Sequence, residues 1–523
     1  MKKNTTRMKN QSLFCLFPIV LIVSTSMTPA FFPIEQQFNK KYTFSHALVE
    51  HLSMKNLGDE SGWPLTYHHD NEDIATAVLI DKDNQIIASG YTFNYSNYNA
   101  DFLTVKYNEF GNLLWAEIFD GGTYDYSWDA TVDSQGNVII LGFNSTLEEN
   151  PEELDITLFI VKYDANGIIQ WNKTLAFEKD CFPGGLAVDS EDNIILTLGS
   201  GDLDTIEFFC QTLKYDEQGN EIWNTTFTED MISFGADVVI NEKDEIFICG
   251  LTASFFGQGW FIINYDTTGT LKWVQRYAVG NQPFDIELDP NGNIILTGQE
   301  YSYETNSSSW LTLKCDSKGN VIWTYLFDGP ANEYPRDSTI DTQGNIYTVG
   351  TFVRDNNSQT CVIKQNPNGD EQCIKFQSYD EAFLCITIDK DDQVIGSGAI
   401  NATTGDTFNS DFYTDIITDF TPPEFTIEQP KPGYIYLFDK PLFPLGKNAL
   451  IIGPVTIRLT PDDPDEISHI EFYIDGNLME IKTSPPFEYF WDESRFGEHT
   501  IEIHVYNNDL NMKHDEKSVW KIW

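Results

Sequence analysis

The sequence predicts an all-β chain: a seven-bladed β-propeller of four-stranded blades, closed by an N-terminal strand, followed by an immunoglobulin-like β-sandwich. Three observations carry that prediction. A unit of about 50 residues, the length of one four-stranded blade, recurs between residues 60 and 420. A lone strand-like segment, Trp63 to Tyr67, stands before the first unit, and the last unit lacks its equivalent. The repeat stops at Thr421, and about a hundred residues of short alternating strands follow, enough for one sandwich.

Each unit begins with an alternating strand ending in Asp. A turn with Gly-Asn character and an apolar strand ending in Gly follow, then a strand ending Lys-Tyr-Asp, a second turn and a strand carrying Trp. The Asp markers are Asp81, Asp133, Asp189, Asp289, Asp341 and Asp389, with Asn241 in the fourth unit. The strand-ending glycines are Gly90, Gly142, Gly199, Gly250, Gly298, Gly350 and Gly398. The outer-strand tryptophans are Trp115, Trp171, Trp223, Trp273 and Trp323, with Cys373 in the sixth unit. Glycine and asparagine suit the positive φ of such turns, and an Asp at the start accepts hydrogen bonds from turn amides. Lys106, Lys162, Lys214, Lys314 and Lys364 share one position in the third strand, where the fourth unit has Asn264. A group present once per unit points to an ion pair with the repeat Asp, or to a stem packed along the sheet, rather than to catalysis.

The seventh unit shows three strands and then Pro422-Pro423. Trp63-Pro64-Leu65-Thr66-Tyr67 matches the outer-strand pattern, so it is expected to complete that unit and remove a free sheet edge. Pro64 fits an outermost strand, where a missing amide does least harm.

Phe119 to Asn144 and Phe327 to Phe352, with their Gly-Asn turns and the Lys-Tyr-Asp-x-x-Gly-Asn-x-x-Trp run, resemble the SBBP-type β-propeller repeats of prokaryotic exported proteins. The resemblance spans roughly residues 63–420 and implies the fold; propellers host many unrelated activities. Beyond Thr421, Ile470 to Gly476, Pro486 to Asp492 and Gly497 to Ile503 resemble bacterial and archaeal Ig-like modules, with Trp491 expected between the sheets. That resemblance implies a spacer or adhesive unit.

The first thirty residues read as a signal peptide: Lys2, Lys3, Arg7 and Lys9, then an apolar run from Leu13 to Val23 too short for a membrane span. The expected division is signal peptide 1–30, linker 31–59, propeller 60–420 and sandwich 421–523, with secretion or display at the cell surface. A formal charge of -48 argues against a nucleic-acid partner and favours cations or basic partners. The cysteines form no repeated framework, and a bridge between Cys361 and Cys373, which flank one hairpin turn, is not favoured. Asn94, Asn144, Asn172, Asn224, Asn306, Asn356 and Asn401 are glycosylation acceptors by motif.

The loops that vary in length lie on one face by strand parity, and that face is the expected binding surface. Asp70, Glu72, Tyr124, Asp125, Tyr126, Trp128, Glu333, Tyr334, Asp380 and Glu381 are expected around its central mouth. An acidic, aromatic mouth suits a sugar, a cation or a basic peptide. No motif marks a nucleophile, a phosphate loop or a cofactor. The favoured reading is a binding or adhesion protein with an extracellular protein or glycan partner. The alternative is a secreted carbohydrate-active hydrolase or lyase using carboxylates at the mouth. No cofactor is expected, apart from weak calcium candidates at Asp462, Asp463 and Asp465, which lack a spaced ligand pattern.

Overall fold

The structure is a computed structural model. It describes residues 63–522 except 70–71, 97–98, 123, 148–153, 178–179, 203–204, 206, 229–230, 255–256, 303–306, 330–331, 355–356, 379–380, 402–409 and 445. The proposed signal peptide and linker lie outside the described residues. Among the described residues no helix is long and apolar enough to cross a membrane.

The first part is a β-propeller whose strands pair antiparallel in successive units. A typical unit runs Asp125–Val132, Val138–Leu147, Leu154–Tyr163 and Ile169–Leu175 from the axis outward. The innermost strands Glu72–Ile80, Asp125–Val132, Asp180–Val188, Ile232–Ile240, Gln282–Leu288, Asn332–Ile340 and Glu381–Ile388 contact one another in chain order, and the last contacts the first. Leu65–Tyr67 pairs antiparallel with Ser410–Ile417, in register Leu65↔Thr414 and Tyr67↔Phe412. The N-terminal strand therefore completes the last unit, and Trp63 and Leu65 pack in one apolar cluster with Phe412, Cys385 and Val105. A hydrogen bond from the Lys390 amide to Asn84 Oδ1, 3.3 Å, joins the two ends of the ring.

The repeat Asp has two jobs. One carboxylate oxygen accepts two turn amides: Gln135 and Asn137 donate to Asp133 Oδ1, each at 2.9 Å. The other oxygen holds the third-strand lysine, in the pairs Lys106–Asp81, Lys162–Asp133 and Lys314–Asp289 at 2.8 Å and Lys214–Asp189 at 2.6 Å. Burial pushes the Asp189 and Asp289 carboxyls up, but the lysine, the neighbouring Asn and the turn amides outweigh it and hold both below the ordinary value. In the fourth unit both charges are gone together. Asn241 keeps the turn bonds, and Asn264 donates to the Ile246 carbonyl at 3.2 Å. In the sixth, Lys364 Nζ lies 5.1 Å over the Tyr347 ring, whose hydroxyl donates to Asp341.

Neighbouring units are joined by the tryptophans. Trp115, Trp171, Trp223 and Trp323 donate from Nε1 to a turn carbonyl of the next unit at 3.1–3.3 Å: Ala165, Glu217, Thr267 and Pro367 respectively. A glycine at positive φ in that turn lies flat against the ring. At Gly167, with φ +86, a Cβ would stand 2.9 Å from Trp115 Cδ2. The strand-ending glycines serve a different contact. All but Gly199 pair with the innermost strand where that strand bulges, as Gly90 does with Ala75 and Gly398 with Phe383. A Cβ on Gly90 would lie 1.9 Å from the Ile74 carbonyl oxygen.

The C-terminal part is an Ig-like sandwich. Phe425–Gln429, Val455–Pro461 and Glu488–Trp491 form one sheet. Ile467–Ile474, Gly497–Asn507 and Asn511–Ile522 belong to the other. Ile457, Phe472, Trp491 and Ile503 are buried between them. Lys521 Nζ sits 4.0 Å over the Trp491 ring, and burial lowers its pKa to about 8.

The sandwich is paired directly with the propeller. Its last strand extends the sheet of the sixth propeller unit, with Ile374↔Met512 and Lys375↔Asn511 paired antiparallel. Cys373, which replaces the tryptophan, is buried with Sγ 3.4 Å from Asn511 Oδ1. The missing tryptophan thus has a physical reason: the sandwich strand occupies the surface an indole would cover. Tyr506 packs on Phe376 at 5.6 Å, and His514 Nε2 lies 3.3 Å from Glu371 Oε1. Cys373→Trp is expected to dislodge the sandwich, measurable as a larger radius of gyration in X-ray scattering with the propeller still folded. All seven described cysteines are free and buried, so Cys361 and Cys373 are unbridged.

Candidate functional site

The expected mouth residues divide by what they already hold. Asp125 is fully buried, accepting from the Gly121 amide at 2.6 Å and from Asn144 Nδ2 at 3.0 Å. It caps the loop leading into its own strand, as Asp73 does for the His69 amide at 2.6 Å. Burial, the first cause, raises the Asp125 pKa against those hydrogen bonds. Glu333 occupies the equivalent position and is also fully buried, tucked against Gly329 of its own loop. Neither is the exposed ligand group expected of it: a carboxylate shortly before the bulge is drawn inward against the loop. Glu72 accepts from the Tyr95 hydroxyl at 2.7 Å, and Glu381 is half-buried beside Tyr413. Asp70 and Asp380 lie outside the described residues.

The aromatic members remain partly exposed. Tyr124 stacks on Phe93 with centroids 6.3 Å apart, Tyr126 meets Tyr91 edge-on at 5.0 Å, and Trp128 lies 6.1 Å from Phe143. Tyr334 is half-buried, with its hydroxyl bonded to Ser308.

A second set, apart from Trp128, was not singled out from the sequence. Innermost strands bulge once near the middle, and the bulged residues Thr76, Trp128, Ala236, Phe284, Arg336 and Leu384 are all partly exposed. The middle of an innermost strand meets solvent only along the axis, so these side chains ring the axial opening. Arg336 makes no ion pair among the described residues, its Nε has no hydrogen-bond partner, and burial lowers its pKa to about 10.

The next residue along is Asp in four units. Asp129 Oδ2 accepts the Leu186 amide at 2.7 Å, Asp237 the Ile286 amide at 3.1 Å, and Asp337 the Ile386 amide at 2.8 Å. Asp285 accepts from the Ser338 hydroxyl. Each stitches one innermost strand to its neighbour. In the third unit Gly185 holds the place, and Asp237 fills the space a side chain would take: a Cβ there would lie 1.8 Å from Asp237 Oδ1. Burial, reinforced by mutual repulsion, raises these acids. Asp129 is pushed to about 7, Asp285 to about 6 and the nearby Glu287 to about 8, while Asp237 and Asp337 rise well above the usual range.

These shifts set a pH dependence. Unfolded carboxyls titrate near 4, so between about pH 4 and 8 the folded chain binds more protons than the unfolded one, and stability falls as pH rises through that window. Calorimetry is expected to find the fold more stable at pH 5 than at pH 8 by on the order of 2–4 kcal/mol, discounted for water in the axial opening. Glu287→Gln is expected to shrink the difference.

The weak calcium candidates lie at a short turn. Asp463 Oδ1 caps a single 3-10 turn, Pro464–Glu466, by accepting the Asp465 amide at 3.0 Å. Asp462, Asp463 and Asp465 are not among the metal-capable groups of the described residues. Those groups are Asp101-Asp120-Asp125, His68-Asp73-Asp411 and Glu502-His504-His514. Of the glycosylation acceptors, Asn172 and Asn224 are exposed and Asn94 is half-buried. Asn144 is buried against Asp125 and is closed to modification in the folded chain. Asn306, Asn356 and the Asn401 side chain lie outside the described residues.

Residues 446–503 match the family model described as a bacterial Ig domain. A curated relative, an uncharacterized WD repeat-containing protein L264 of Acanthamoeba polyphaga mimivirus, is 23% identical over 404 residues, covering 54% of this chain. The match spans only 28% of that relative's length. Among solved structures, polysaccharide lyase Uly1 is similar at 12% identity and TM-score 0.46, covering 74% of this chain and 95% of that one. The β-propeller domain of the Trilobed protease from Pyrococcus furiosus, described as having an open velcro topology, is similar at 11% identity and TM-score 0.39, covering 68% and 96%. At these identities neither likeness bears on activity.

Proposed function

We propose that the chain is a secreted or cell-surface binding protein. Its platform is a seven-bladed propeller over residues 60–420, and the sandwich over 421–523 is an adhesive unit fastened to the sixth blade. The ligand is a glycan or an extracellular protein, taken at the axial mouth. One observation carries this reading: the mouth's aromatic faces remain partly exposed, whereas Asp125, Glu72 and Asp73 are committed to holding loops. Exposed aromatic faces bind sugar rings and apolar side chains. A hydrolase or lyase needs groups free to exchange a proton with substrate, and those carboxylates are engaged. Arg336 favours a ligand bearing a carboxylate or sulfate, which a guanidinium grips with paired hydrogen bonds.

A glycan array probed with the full chain tests this. Saturable binding to uronate-bearing or sulfated glycans, with no change in the glycan, is the expected result. Cleavage of any polysaccharide by the purified chain would replace the binding reading with the enzymatic one.

A further inference from the structure

A row of imidazole and carboxylate groups crosses one sheet of the sandwich where it meets the propeller. Register places Glu471 opposite His504 and His504 opposite His514 on three adjacent strands, so the three side chains share a face. Glu502, two residues before His504, shares that face as well. His504 is only 4% exposed. Its Nε2 lies 2.6 Å from Glu502 Oε1 and its Nδ1 lies 3.9 Å from Glu471 Oε2. The rings of His504 and His514 stand 5.7 Å apart. One donor atom from each of Glu502, His504 and His514 lies within 4.8 Å of the others, the span of ligands around a single small cation.

We propose that Glu502, His504 and His514 bind a divalent transition metal of the zinc class, with Glu471 on the Nδ1 side of the His504 ring, away from Glu502. Two imidazoles with a carboxylate suit zinc or cobalt, whereas calcium takes oxygen ligands alone. Ion pairing accounts for each His–Glu contact taken singly. It does not require both imidazoles to converge with Glu502 on one point. The site's place gives it a role. His514 lies on the strand that pairs with the propeller through Met512, and Glu371 of the propeller lies 3.3 Å from His514 Nε2. A bound ion fixes that strand, and with it the attachment of the sandwich.

The test uses the full chain after chelator treatment. Titration calorimetry with Zn²⁺ and visible absorption with Co²⁺ are expected to show one site per chain with micromolar or tighter affinity, and a rise in melting temperature. Ca²⁺ is expected to give none of these. His514→Gln, at the more exposed ligand, is expected to weaken binding at least tenfold with the circular dichroism spectrum unchanged. Glu502→Gln is a second probe, and a His68→Gln/His69→Gln double variant is expected to bind as the unaltered chain does. Absence of saturable binding overturns the proposal, as does binding that both His514→Gln and Glu502→Gln leave untouched.

Discussion

Asp133→Asn is expected to cost the fold about 3–5 kcal/mol, and adding Lys162→Asn to it is expected to recover most of that loss. The Lys162 ammonium is 2.8 Å from Asp133 Oδ2, and its side chain is 2% exposed. Removing the carboxylate strands a buried positive charge, which is far costlier than the pair is worth. Asn at 133 keeps the turn amides, as Asn241 does in the fourth unit, so the loss comes from the stranded charge together with the bond that Asn137 Nδ2 now donates to Asp133 Oδ2 at 2.8 Å. The double substitution approaches the Asn241 and Asn264 arrangement that this chain uses once, where Glu245 stands in place of Asn137 and accepts from Asn241 Nδ2. Urea unfolding of the two single variants and the double closes the cycle, with a coupling of roughly 2 kcal/mol or more expected. Additive losses would mean that the lysine packs independently of its partner.

Deleting residues 60–68 is expected to cost several kcal/mol and to make the chain prone to associate. The segment buries Leu65 and partly buries Trp63 and Tyr67 against the last unit, and such side chains contribute about 1.5–3 kcal/mol each when fully buried. The deletion also uncovers the edge of Ser410–Ile417, a row of unpaired amides and carbonyls that templates pairing with a second chain. Thermal unfolding and light scattering read the two effects separately. Thr66→Ala, at an exposed position of the same strand, is the control expected to change neither. Unchanged stability after the deletion would mean that the ring does not depend on this closure.

Much of the fold was legible because the sequence repeats it. Asp at a strand end, Gly-Asn after it and Lys in the third strand are local chemistry, and each copy corroborates the others. The fourth unit departs from the pattern at Asn241 and at Asn264, which look independent in sequence, and at Glu245 beside Asn241. In space they are a single event: Asn241 and Asn264 stand together where the other units have an ion pair. Closure by Trp63 to Tyr67 was legible because a spare outer strand and a missing one can be matched by pattern. Three features were not legible. The reason for Cys373 lies 138 residues away in Asn511, on a strand whose own pattern gives no sign of a partner outside the sandwich. The bulge that turns Arg336 toward the axis leaves no mark in an alternating pattern except the glycine opposite it. The loop carboxylates looked available because acidic residues in loops usually are. Asp125 is instead drawn inward by the Gly121 amide of its own loop, and Glu333 is buried against Gly329 in the same way.

The account's central claim is that ligand is held by aromatic faces and Arg336 around the axis rather than by the loop carboxylates. The most direct measurement is the affinity of the best glycan-array ligand for the unaltered chain, Trp128→Ala, Arg336→Gln and Asp120→Asn. Trp128→Ala and Arg336→Gln are expected to weaken binding at least tenfold, about 1.4 kcal/mol or more, with folding intact. Asp120→Asn, on an exposed loop next to the same mouth, is expected to leave it within twofold. Full affinity in the first two variants together with its loss in Asp120→Asn would contradict the account and move recognition to the carboxylates of the loops.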